Sequence, residues 1–207
     1  KTGCPWDREQ TFSSISYCAI EEAYEVVEAI EEKDYESLKN ELGDLLFQVV
    51  FHSEMAREMN LFEFDDVVNA ISEKLISRHP HVFGGTTIDD VKTQTDLWER
   101  QKIQEMEQSG EKTSALDGIG KNQPALNRAY KLGKRASSVG FDWQSSEDVM
   151  TKISEELEEL TLALKSGEAA LIEEELGDLL FSVVNLARRT QKNPETALRK
   201  ANQKFEA

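Results

Sequence analysis

Two short acidic clusters carry the chemistry that this sequence can offer. Glu21, Glu22 and Glu25 sit in a pattern with helical spacing, and at 100° per residue they fall within an arc of about 100° on one helix. Glu41 and Asp44 are three apart on the next helical stretch, so they are neighbours on its surface. A short turn makes the two helices antiparallel neighbours, and five carboxylates then converge on one place. Like charges gathered beside an apolar stripe repel and are costly to desolvate. A hard divalent cation removes that cost. Oxygen donors without His or Cys favour Mg²⁺ or Mn²⁺ over Zn²⁺.

The same arrangement occurs twice. Glu41-Leu42-Gly43-Asp44-Leu45-Leu46-Phe47 recurs unchanged as Glu175-Leu176-Gly177-Asp178-Leu179-Leu180-Phe181. Upstream, Glu21-Glu22-Ala23-Tyr24-Glu25 corresponds to Glu155-Glu156-Leu157-Glu158-Glu159, at the same offset of 134 residues. Similarity at a fixed offset marks a duplicated unit. A single Glu-Glu-x-x-Glu is usually a solvated helix face, but a solvated face has no reason to keep two clusters at a fixed separation. Gly43 and Gly177 add weight. Each lies in mid-helix, where Gly costs ~1 kcal/mol relative to Ala, so a packed helix or a ligand is expected close to that backbone.

The elements that must position these groups are helices. Apolar residues at Ile15, Ala19, Ala23, Val26, Val27 and Ile30 predict a helix from about Thr11 to Glu32. A second follows from about Tyr35 to Met59, with Asp34 as N-cap and a stripe of Leu42, Leu45, Leu46, Val49 and Val50. A third covers Phe64 to Ser77, and Arg78-His79-Pro80-His81-Val82-Phe83-Gly84-Gly85 then breaks the pattern. Residues 88–108 read as a polar, exposed helix carrying Trp98.

Beyond a Gly- and Ser-rich stretch, further helices are expected over Pro124–Ser138, from a Ser145 or Ser146 cap to Lys165, over Glu168–Arg189, and from Pro194 onward. Arg128, Lys131, Lys134 and Arg135 form a local basic patch. No stretch sustains the alternation of a strand. The expectation is therefore an all-α chain of two duplicated units of four-helix-bundle type, 1–110 and 120–207, joined by a linker at 111–119. Each apolar stripe is too wide for one helix pair to bury, so a homodimer should complete the bundles across chains.

Composition narrows the function further. The 207 residues hold 24 Lys and Arg against 40 Asp and Glu, a formal net charge of −16. Binding nucleic acid through a broad basic face does not fit that balance. No run approaches the ~20 apolar residues that span a bilayer, and Gln48 breaks the longest one. Cys4 and Cys18 make no disulfide framework, so a reduced, cytoplasmic protein without a membrane partner is expected. The absence of Glu-x-x-His argues against a ferritin-like di-iron bundle. His79 and His81 without a third nitrogen or sulfur ligand make a poor zinc site and suit a loop brace better.

Glu-Glu-x-x-Glu followed by Glu-x-x-Asp, together with Cys4-Pro5-Trp6-Asp7, the doubled Glu-Leu-Gly-Asp-Leu-Leu-Phe, Arg78 to Phe83 and Val139-Gly140-Phe141-Asp142-Trp143, resembles the MazG family of all-α nucleoside triphosphate pyrophosphohydrolases. The resemblance covers nearly the whole chain. It implies Mg²⁺-dependent hydrolysis of a nucleoside triphosphate to the monophosphate and pyrophosphate, in house-cleaning of noncanonical or excess nucleotides. Carried over, the metal ligands are Glu22, Glu25, Glu41 and Asp44 in the first copy and Glu156, Glu159, Glu175 and Asp178 in the second. Glu21 and Glu155 stand beside them as bases or as supporting groups.

Lys74, Arg78 and Lys204 are candidate phosphate contacts, and Trp6 and Trp143 candidate partners for a base. The resemblance favours the second copy as the catalytic one. The family pattern continues past Lys204-Phe205 with a basic residue and a Trp-bearing helix that do not follow here, so the second unit is expected to be incomplete. The rival reading is a non-catalytic acidic helical scaffold or dimerisation protein whose carboxylates only solubilise it.

Overall fold

The computed structural model describes residues 3–85, 90, 93–94, 97–98, 101 and 114–206. It forms two compact units, Lys1–Thr87 and Ile88–Ala207. The first holds a 3₁₀ turn at Asp7–Glu9, then α1 (Phe12–Glu32), α2 (Tyr35–Glu58), α3 (Phe64–Arg78) and a single helical turn, α4 (Pro80–Phe83). The second holds α5 (Ala125–Ser138), α6 (Ser146–Ser166), α7 (Ala169–Arg189) and α8 (Pro194–Glu206). No strand occurs among the described residues. The helix expected over 88–108 lies for the most part outside them, as do residues 111–113 of the expected linker, while 115–118 form turns.

Each unit is built on a helical hairpin, α1 against α2 and α6 against α7. The duplication extends to the caps. Thr11 Oγ1 accepts from Ser14 N at 3.2 Å while Ser14 Oγ accepts from Thr11 N at 2.9 Å. At the same offset, Ser145 Oγ accepts from Asp148 N at 3.1 Å and Asp148 Oδ2 from Ser145 N at 2.9 Å. Such reciprocal boxes fix where a helix starts and contribute ~1 kcal/mol each. The far ends match as well: α1 stops on Lys33 with φ 60° and α6 on Gly167 with φ 75°. Gly holds that left-handed position without steric cost; Lys does not. Asp34 and Glu168 then start the returning helices, and Asp34 Oδ1 accepts from Ser37 N at 3.0 Å.

Inside the hairpins the fully covered apolar groups are few: Ile15, Ala29 and Ala56 in the first unit, Val149, Ala163 and Val184 in the second. The outer faces stay open. Leu42, Leu46 and Phe47 are each about half exposed, and so are Leu176, Leu180 and Phe181. A Cβ placed on Gly43 or Gly177 would meet nothing within 4 Å. The close neighbour expected at those glycines is therefore not supplied among the described residues.

One local expectation changes. Pro80 does not end helical structure but starts α4, as suits a residue whose fixed φ favours the first turn. Within the basic patch of α5, Arg135 is buried while Lys131 is exposed. Gly133 lets α5 approach α7: a Cβ there would lie 2.7 Å from Asn185 Oδ1 and 3.0 Å from Arg188 Nε.

Candidate active site

The hairpins bring the acidic residues together as the spacing requires. Oxygen atoms of Glu22, Glu41 and Asp44 lie within 4.8 Å of one another, and those of Glu156, Glu175 and Asp178 do the same. Glu22 and Glu156 come from the outgoing helix of each hairpin, and the other four from the returning helix. Glu25 and Glu159 border these triads. Partial burial, then the charges of Glu25 and Asp44, push both the Glu22 and Glu41 carboxyls above the ordinary range. Glu159 is pushed up by burial and by Glu156 and Glu175, against the opposing pull of Lys152. Oxygen donors this close and this mutually repelled have the chemistry of a hard-cation site. His79 and His81 belong to neither triad; their rings lie 5.5 Å apart, and His79 Nδ1 is 2.7 Å from Leu75 O.

A cavity of about 610 Å³ borders only the second triad among the described hollows. Its charged lining is Asp142, Lys152, Glu156, Asp178 and Arg188, and Leu132, Phe141, Trp143 and Phe181 are among its apolar walls. The hollows of the first unit, about 300 and 200 Å³, involve none of its triad. The copies differ at two positions that line the cavity. Ser182 and Asn185 line the cavity, and their counterparts in the first copy are Gln48 and Phe51. Both are bulkier, and Phe51 stacks on Phe47 with ring centroids 5.6 Å apart.

Asp142 holds the loop that closes the cavity. It accepts from Ser137 Oγ at 2.8 Å, Arg188 Nη1 at 3.2 Å, Arg189 Nη1 at 3.3 Å and Trp143 N at 2.9 Å, and it also pairs with Arg188 Nη2. Burial works against its charge, but the Arg188 and Ser137 hydrogen bonds outweigh it and hold the carboxyl at about 2. A carboxyl depressed on folding stabilises the fold above its unfolded value and loses that contribution as pH falls towards its folded value. Asp142→Asn should therefore cost about 1–2 kcal/mol at neutral pH, after discounting for solvent. The gap between variant and parent should close between about pH 4 and 2. Paired thermal melts across that range check it; a gap that does not change with pH counts against the clamp.

The remaining sequence candidates are dispersed. Trp143 walls the cavity, whereas Trp6 stands on the 3₁₀ turn of the first unit, more than half exposed. Lys74 is exposed on α3, Arg78 ends that helix half-buried, and Lys204 is exposed on α8. Glu21 is exposed and adds to the charge felt by Glu22. Glu155 pairs with Lys152 Nζ at 2.8 Å. Sequence reasoning passes over Lys152, although its place four residues before Glu156 is an ordinary helical ion-pair spacing. It also misses Asn185 and Arg188, which no local pattern marks.

Residues 10–83 and 144–207 match the MazG nucleotide pyrophosphohydrolase domain. The chain is 47% identical over 208 residues to the nucleoside triphosphate pyrophosphohydrolase of Escherichia coli strain K12, covering all of this chain and 79% of that one. The chain belongs to the MazG family. It is also 49% identical to a nucleoside triphosphate pyrophosphohydrolase/pyrophosphatase MazG of Thermotoga maritima, over 98% of this chain and 76% of the relative. With the nucleoside triphosphate pyrophosphohydrolase of Mycolicibacterium smegmatis it shares 35% identity over 74% of this chain and 48% of that protein. Both matched segments begin at a capping box, just before Thr11 and just before Ser145. Helix α5 and the Phe141–Trp143 wall lie outside them, so part of the cavity is built by residues beyond the MazG segment itself.

Proposed function

We propose that this MazG-family enzyme hydrolyses a nucleoside triphosphate to the monophosphate and pyrophosphate at its second acidic cluster, with Mg²⁺ (or Mn²⁺) held by Glu156, Glu159, Glu175 and Asp178. One observation carries the choice of site: the carboxylates and a nucleoside-sized cavity share an edge, since Glu156 and Asp178 line both. When bound, the metal would clamp phosphate oxygens and offset the charge that develops as pyrophosphate leaves. The protein's own groups supply the rest. Glu156 and Asp178 fix where the polyphosphate meets the cavity. Trp143 and Phe181 receive the base against apolar walls, where stacking adds to burial.

Glu155, next to the ligand Glu156, stands as the base for the attacking water or as a supporting group, and it also pairs with Lys152 Nζ at 2.8 Å. Lys204 on α8 is the phosphate contact of this reading, whereas Lys74 and Arg78 on α3 belong to the copy that receives no nucleoside. The first cluster, Glu22, Glu25, Glu41 and Asp44 with Glu21 beside it, holds a cation but receives no nucleoside. A homodimer covers the open faces of α2 and α7, because Gly43 and Gly177 leave the middle of each face flat enough for another helix to approach closely. The free thiols Cys4 and Cys18 suit the cytoplasm, and clearing unwanted nucleotides is the role that fits this chemistry.

Product analysis tests the reaction. Attack at the α-phosphorus yields a monophosphate and pyrophosphate, so ion-exchange chromatography of early time points should show the monophosphate with no diphosphate preceding it. A diphosphate appearing first would sink this reading while leaving the fold untouched.

A further inference from the structure

The two clusters hold the same carboxylates but not the same neighbours. In the second, Lys152 Nζ lies 2.8 Å from Glu156 Oε1 and 2.8 Å from Glu155 Oε1. The Lys152 side chain is 29% exposed and that of Glu156 only 7%, so this pair is poorly screened. At the same place in the first copy stands Cys18, a free thiol. Among the described residues, no Lys or Arg pairs with Glu22, Glu41 or Asp44. Gln48, one turn beyond Asp44 on the same face of α2, is buried and its Oε1 has no hydrogen-bond partner. Its counterpart is the short hydroxyl of Ser182.

We infer that in the nucleotide-free protein the first cluster binds a divalent cation more tightly than the second, because Lys152 is already the resident counter-ion of the second. This rests on the metal reading given above and adds an order of filling to it. A cation entering the second cluster must share Glu156 with an ammonium or displace it, and the two positive charges repel across a few ångströms. A cation entering the first meets carboxylates whose repulsion nothing else among the described residues relieves, and it gains the whole of that relief. The catalytic copy is therefore the weaker metal binder until substrate arrives, and the first copy holds a cation that takes no part in turnover.

The test uses the full chain without nucleotide and Mn²⁺ as the probe, with free Mn²⁺ followed by electron paramagnetic resonance. Two classes of site should appear, at least tenfold apart in dissociation constant, which is about 1.4 kcal/mol. Glu41→Gln should remove the tight class and Glu175→Gln the weak one. Lys152→Met should tighten the weak class roughly tenfold, and Cys18→Lys should weaken the tight one by a similar factor. Circular dichroism melts confirm that each variant folds, and the two reciprocal substitutions stand in for each other if one does not. A single class of two equivalent sites that Lys152→Met leaves unchanged, or a tight class removed by Glu175→Gln, would overturn the inference while leaving the metal reading intact. No Mn²⁺ binding by either cluster would overturn both.

Discussion

Asp178→Ala should lower pyrophosphate release by about 10²–10³-fold, while Asp44→Ala leaves most of it. The size follows from the role. A carboxylate that holds a cation against a reacting phosphate contributes several kcal/mol of charge stabilisation in the transition state, and each 1.36 kcal/mol is a factor of ten in rate. The difference between the copies follows from their surroundings, because the acidic sets are the same. Asp178 borders a cavity of about 610 Å³ with aromatic walls. In the first copy Gln48 and Phe51 stand at the positions of the cavity-lining Ser182 and Asn185, and no described hollow reaches Asp44. Steady-state assays of both variants, with folding checked by circular dichroism, decide the matter. A large loss with Asp44→Ala alone would move the reaction to the first copy, and equal partial losses would mean that both copies turn over.

The second large effect concerns assembly. The parent chain should sediment as a dimer at micromolar concentration. A variant with Leu42, Leu46, Leu176 and Leu180 all changed to Glu should sediment as a monomer. Each of these side chains is about half exposed in the single chain. Covering the remainder of a Leu contributes about 1 kcal/mol, and forcing a carboxylate into the same contact costs more than that. Four such changes in each chain should weaken association by well over a thousandfold, that is by more than about 4 kcal/mol. A parent chain that sediments as a monomer would show that these faces are covered in some other way, and the dimer would be withdrawn.

The parts of this molecule that follow from spacing alone are legible in its sequence. The helical hairpins follow from apolar periodicity, their starts from Thr11, Asp34 and Ser145, and the meeting of Glu22 with Glu41 and Asp44 from a short turn between amphipathic helices. These are short-range consequences, and the repeat states each of them twice. The cavity is different in kind. Its walls come from α5, the Phe141–Trp143 loop and α7, and the clamp on Asp142 joins residues more than forty positions apart. Nothing local marks Asn185 or Arg188 as partners of that loop. Likewise, the burial of Arg135 inverts what its basic neighbours suggest, because a run of Lys and Arg says nothing about which one turns inward. Lys152 is legible by its spacing, yet an acidic cluster draws attention to its carboxylates and away from the cation one turn before it. That cation is one of the differences between the copies, since Cys18 stands at its place in the first.

The tight turn in each hairpin has a consequence for how this chain can change over time. Lys33 and Gly167 end their helices in the same left-handed conformation, and the returning helix starts two residues later in both copies. Counted from that turn, the same number of residues separates each outgoing glutamate from the cap and the cap from each returning Glu-x-x-Asp. Surface connections usually accept insertions and deletions freely. Here one residue added between Ala169 and Glu175 would turn Glu175 and Asp178 by about 100° and shift them about 1.5 Å along the axis. Glu156, on the other arm of the hairpin, would not follow. The carboxylates would then point apart although every one of them was still present. Length in this stretch is thus constrained as tightly as residue identity, and tolerated insertions should fall between the units or after α7 instead.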